Sequence, residues 1–97
     1  MIVNRRTFIV KRGRMEEVAA LIMAETKRAG PTPVVRLYLP EIAAFDQIAM
    51  EWEFEDLAAY QSFWEEWFAS SGGVAFLEKW NDLTETGGAN EIWSLAE

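Results

Sequence analysis

A chain of 97 residues is long enough for one domain and too short for two, and its 51% apolar and 26% charged composition is that of a folded globular protein rather than a disordered one. It contains no Cys and no His. That excludes disulfides, Cys/His zinc sites, thiolate nucleophiles, Ser-His or Cys-His pairs and a histidine haem ligand. The net charge of −7 is unevenly spread. The first 36 positions hold eight bases and three acids, a net +5, and the remainder holds one base and thirteen acids, a net −12. Phosphate repels an acidic chain, so the asymmetry reads as two halves that lie side by side and neutralise each other, with no nucleic-acid partner. The longest strongly apolar helical run, Val18 to Ala24, is too short to cross a bilayer. The N-terminus lacks a signal-peptide layout, and with no Cys the expected compartment is the cytoplasm, with no membrane partner.

Ile2 to Val10 is rich in β-branched and aromatic residues and ends at Lys11-Arg12-Gly13, which reads as a strand closed by a turn. From Arg14 to Arg28, Met15, Val18, Ala19, Ile22 and Met23 recur at helical spacing. Glu16 and Glu17 suit the positive end of that helix and Lys27 and Arg28 its negative end, before Gly30-Pro31 stops it. Strands follow at Val34 to Leu39 and at Asp46 to Phe54. The latter alternates strictly, Ile48, Met50, Trp52 and Phe54 against Gln47, Ala49, Glu51 and Glu53. If these two strands form a hairpin with a shared apolar face, odd positions of one pair with even positions of the other. Arg36 and Tyr38 then lie beside Gln47, Ala49 and Glu51.

Asp56 to Ala69 is a second helix, with Leu57, Tyr60, Phe63, Trp64, Trp67 and Phe68 on one wide face. Ser70-Ser71-Gly72-Gly73 interrupts it. A shorter helix is expected over Val74 to Thr84, ended by Gly87-Gly88, and a last strand over Asn90 to Ala96. The order β-α-β-β-α-(α)-β predicts a ferredoxin-like α+β fold over residues 1–97, an antiparallel four-stranded sheet with helices on one side. The opposite sheet face is expected to carry Val3, Ile9, Val34, Tyr38, Ala49 and Ile92 among Arg5, Arg36, Gln47, Glu51 and Glu53. A second copy covers such a face most simply, so a homodimer is expected, with a half-wet sheet in a monomer left open.

The stretch RTFIVKRGR from Arg6 to Arg14, running into Glu16 and Glu17, resembles the opening of NIPSNAP-type domains. So does IAMEWEFEDLAAY from Ile48 to Tyr60, strand into aromatic helix. The resemblance implies a dimeric α/β barrel, the group that also contains the antibiotic-biosynthesis-type monooxygenases. Haem-degrading members use a histidine ligand, which this chain lacks. Cofactor-independent oxygenases of the group hold electron-rich aromatic substrates with Asn, Trp, Tyr and Arg. Those types occur here as Asn4, Asn81, Asn90, five Trp, Tyr38, Tyr60, Arg6 and Arg36, without a position-by-position match to a catalytic motif.

Two groups of residues are candidates for chemistry. Trp52, Tyr60, Trp64 and Trp67 read either as the wall of a pocket for a hydrophobic or aromatic small molecule or as packed core. Twelve of the thirteen aromatics follow residue 37, and a buried Trp N–H needs a partner. Arg36, Tyr38 and Glu51 read either as a catalytic set (oxyanion holder, acid, base) or as a sheet surface carrying an Arg36–Glu51 ion pair. The acidic pairs are solvated helix faces and no ligand loop for a metal appears, so neither a metal nor a cofactor is expected. Two functions stay open: a dimeric module that binds a hydrophobic small molecule, and a cofactor-independent monooxygenase or isomerase acting on an aromatic or polyketide-like compound. A dimer with a filled core is the third alternative.

Overall fold

The computed structural model describes residues 1–97. Strand β1 spans Ile2–Val10, helix α1 Met15–Ala29, strand β2 Val35–Tyr38, strand β3 Gln47–Phe54, helix α2 Leu57–Ala69, helix α3 Ser71–Leu83 and strand β4 Thr84–Ser94. The strands form one antiparallel sheet in the order β2-β3-β1-β4, the ferredoxin-like arrangement expected from the element order. No helix is long and apolar enough to cross a membrane.

The strict alternation of β3 divides the sheet. Ile48, Met50, Trp52 and Phe54 are buried against the helices with Val10, Val18, Ile22, Trp80 and Leu83. The β2–β3 register pairs Val35 with Trp52, Arg36 with Glu51, Leu37 with Met50 and Tyr38 with Ala49, odd with even as expected. Basic β1 lies between strands from the acidic part of the chain. Arg5 is the register partner of Glu51 on one side and Glu91 on the other, and the ion pairs Arg5–Glu51 and Arg36–Glu53 join the basic and acidic parts of the chain within the sheet.

The two serine-glycine and glycine-glycine breaks differ from expectation. Helix α3 begins at Ser71, not Val74. The Ser70 hydroxyl caps it, accepting from the Gly73 amide at 2.9 Å and donating to the Trp67 carbonyl at 2.7 Å. Gly73 allows the close approach of α2, since a Cβ there would collide with the Trp67 carbonyl. The break is thus the joint between two abutting helices. Likewise Gly87-Gly88 does not end a helix. It lies inside β4, which starts at Thr84, where the register against β1 shifts between Thr7 and Ile9. Gly88 has φ +96°, and a Cβ there would run into the Thr7 carbonyl.

The sheet face away from the helices carries Val3, Arg5, Thr7 and Ile9 of β1, Ala49, Glu51 and Glu53 of β3, and Arg36 and Tyr38 of β2. Ile92 is not among them. Its register partner is Asn4, which points to the helix layer, whereas Trp93 pairs with Val3 and lies on the uncovered face, 59% exposed. The shift comes from where β4 meets β1, a relation that the local pattern of residues 90–96 does not contain.

Candidate functional site

The sheet and all three helices enclose a partly open cavity of about 110 Å³. Met50 and Trp52 of β3 and Val35 of β2 form its floor, Phe63, Trp64, Trp67 and Phe68 of α2 one wall, Ile22 and Glu25 of α1 another, and Phe76 and Trp80 of α3 the end. The aromatic rings meet mostly edge to face. Trp52 and Trp64 have centroids 5.0 Å apart, Trp64 and Trp67 5.7 Å, and Trp67 and Phe76 5.5 Å, while Phe76 stacks on Trp80 at 5.3 Å. Helix α2 can present so many rings to one side because they recur three and four positions apart. Its N-terminus is fixed by Asp56, whose carboxylate accepts from the Ala59 amide at 2.9 Å.

Four polar side chains organise the walls. Asn4, fully buried on β1, donates from Nδ2 to Asn90 Oδ1 at 2.7 Å and to the Glu91 carbonyl at 2.9 Å. Its Oδ1 accepts from Arg6 Nε at 3.1 Å and from Trp64 Nε1 at 3.3 Å. All of its hydrogen-bonding capacity is therefore used, and it joins the two central β1 side chains to α2 and β4. The Arg6 guanidinium lies over the Trp64 ring, 4.1 Å from its centroid, and borders the cavity. Across the cavity, Glu25 accepts from Trp67 Nε1 at 3.0 Å and from Arg28 at 2.5 and 3.0 Å. The Arg28 hydrogen bonds hold the Glu25 carboxyl below the usual carboxylate range, with the Trp67 bond adding to the effect against partial burial.

Trp52, Trp64 and Trp67 all border the cavity. Tyr60 lies outside it, one turn nearer the start of α2, where its ring meets Phe54 edge-on at 5.8 Å. Tyr38, Arg36 and Glu51 share the opposite, uncovered face of the sheet, so no cavity ligand reaches them. Within that group the Arg36–Glu51 ion pair does not form. The two are register partners, but Glu51 receives Arg5 Nη1 and the Tyr38 hydroxyl, each at 2.9 Å, and Arg36 turns to Glu53 at 3.2 Å. Arg5 reaches Glu51 from the central strand on its other side, which the hairpin pattern alone does not reveal. The hydrogen bond to Glu51 raises the Tyr38 phenol above its usual range, with desolvation and the Glu51 charge acting in the same direction. Arg6, which borders the cavity, and Asn4, which holds it from behind, were matched by residue type alone and were not among the candidate site residues. Their signal was present: both share the parity of Ile2, Phe8 and Val10, so each is a polar residue on the core-facing side of a strand.

No protein-family model matches the sequence, and no curated protein matches it. Solved structures do match. An uncharacterized NIPSNAP domain protein from Burkholderia xenovorans superimposes with a TM-score of 0.86 at 16% identity, over 99% of this chain and 95% of the other. The fold is NIPSNAP-like. A NIPSNAP family protein with unknown function from Agrobacterium tumefaciens gives a TM-score of 0.86 at 23% identity, over 99% and 88% of the two chains. The NIPSNAP-like fold extends to an antibiotic biosynthesis monooxygenase, with a TM-score of 0.75 at 13% identity and full coverage of both chains.

Proposed function

We propose that this chain is a small-molecule-binding module whose cavity takes a planar hydrophobic or aromatic compound between α2 and the sheet. One observation supports the reading above the others: aromatic side chains from four elements, β1, β3, α2 and α3, surround a void of about 110 Å³ instead of interlocking across it. Protein interiors rarely leave such space unfilled, and an apolar cavity of roughly 150 Å³ binds benzene. The partly open mouth lets a larger ligand protrude. The test is titration with indole, followed through the indole N–H resonances of Trp64 and Trp67. Saturable shifts at both, lost when Val35→Phe fills the floor, support the module. Unmoved resonances at millimolar indole overturn it.

The uncovered sheet face supports a second part of the proposal, association with a second copy through that face. Val3, Thr7, Ile9 and Ala49 on it are only half-buried in the single chain, and Tyr38 and Trp93 are exposed. In that dimer Tyr38, Arg36 and Glu51 meet the second copy. The alternative reading, a cofactor-independent oxygenase, draws support from the likeness to the antibiotic biosynthesis monooxygenase. It predicts dioxygen uptake with an electron-rich phenol, lost in Tyr38→Phe if the Tyr38 group acts as acid and lost in Trp64→Phe if the cavity holds the substrate. Uptake no faster than in buffer removes this alternative.

A further inference from the structure

The chain has six arginines, and five of them meet a carboxylate: Arg5 on Glu51, Arg12 on Asp46, Arg14 on Glu17, Arg28 on Glu25 and Arg36 on Glu53. Arg6 alone among them forms no ion pair, in a protein with a net charge of −7 and at the border of a mostly apolar cavity. Its Nε is committed to Asn4, its face is stacked on Trp64, and its two Nη groups meet no acceptor in the protein. The one carboxylate that borders the cavity, Glu25, is already occupied by Arg28 and Trp67 on the α1 side. A half-buried cation is favourable when an anion completes it, and a stacked guanidinium with both Nη groups free is shaped for two parallel hydrogen bonds to a carboxylate.

We infer that the cavity is selective for aromatic carboxylates, with the ring among Trp52, Trp64 and Trp67 and the carboxylate on the Nη groups of Arg6. This deepens the module reading and rests on it. Asn4 is the positioning residue: by accepting from Arg6 Nε and Trp64 Nε1 with the same oxygen, it ties the guanidinium to the indole over which it lies, at the border of the cavity.

The test compares benzoate with benzamide, which has the same shape without the charge, by the tryptophan indole N–H shifts at neutral pH. Wild-type protein is expected to bind benzoate about tenfold tighter than benzamide. Arg6→Met is expected to abolish that preference while leaving benzamide affinity within about twofold. Arg6→Lys retains part of the preference, because the charge stays and the paired geometry is lost. Should Arg6→Met fail to fold, Arg6→Lys and the salt dependence of wild type decide, since added salt weakens benzoate more than benzamide only if a charge is read. Equal wild-type affinities overturn the carboxylate inference and leave the cavity reading standing. Binding of neither probe overturns both, and a preference that survives Arg6→Met overturns the role of Arg6.

Discussion

The indole N–H of Trp67 donates to Glu25 at 3.0 Å and so fastens α2 to α1 across the rim of the cavity. Because Arg28 and Trp67 both favour the ionised carboxylate, the folded protein holds Glu25 below its unfolded value, and the stabilisation is full at neutral pH. It fades as pH falls through the lowered folded value. Glu25→Gln is expected to lose about 1 kcal/mol near neutrality. Urea unfolding over a pH series checks this: the wild-type and variant curves converge in acid and separate as pH rises.

Asn4 is the costliest polar side chain to remove. Asn4→Ala leaves Arg6 Nε, Trp64 Nε1, Asn90 and the Glu91 carbonyl without their shared partner in a fully buried position. The expected loss is about 2–4 kcal/mol, measured by denaturant unfolding. Replacing the half-exposed Arg14, whose partner is an exposed carboxylate one helical turn away, is expected to leave the unfolding midpoint nearly unchanged in the same assay.

Tyr38 is held as a neutral phenol by Glu51. In a Tyr60→Phe background, where a single tyrosine titrates, ultraviolet absorbance is expected to show phenolate forming above the ordinary tyrosine range. Adding Glu51→Gln removes both the carboxylate acceptor and its charge, and the titration moves down.

At Gly88, a positive φ and the adjacent Thr7 carbonyl together forbid a side chain. Gly88→Ala is expected to cost about 2–3 kcal/mol. Gly13→Ala, also at positive φ but in open space, is expected to cost about 1 kcal/mol. Thermal unfolding of the pair separates collision from backbone strain.

Ala49 sits at the middle of the uncovered face, register partner of both Thr7 and Tyr38. Under the proposed association, Ala49→Arg buries a cation between two copies and gives a monomer by sedimentation at concentrations where wild type is a dimer. Its helix-side packing is untouched, so its far-ultraviolet spectrum stays that of wild type. A monomeric wild type at micromolar concentration removes the proposed dimer.

Wherever one face of one element decided the outcome, the residues were readable in advance. The β3 alternation gave its burial pattern and the β2–β3 parity, and β1 spans the expected Ile2–Val10. Features that depend on a third element were not readable. Glu51 pairs with Arg5 because β1 runs along the far side of β3, and Ile92 lies on the helix side because β4 pairs it with Asn4 of β1. The serine-glycine break misled for a different reason: glycine there permits two helices to abut, whereas the local rule reads it as a loop. The cavity itself was legible as an aromatic stripe, but whether the rings close the space depends on the separation of α1, α2 and the sheet.

Helix α3 passes into β4 with no intervening loop: Leu83 ends one and Thr84 begins the other, and the Thr84 hydroxyl donates to the Trp80 carbonyl at 2.8 Å. Such a joint has no slack. Trp80, at the end of the cavity, and the edge strand are geared together, so rotating the helix by one residue would turn every β4 side chain over to the opposite side of the sheet. Length changes are absorbed by the long hairpin from Leu39 to Asp46, where Ile42 and Phe45 stand almost fully exposed, and not by this hinge-free corner.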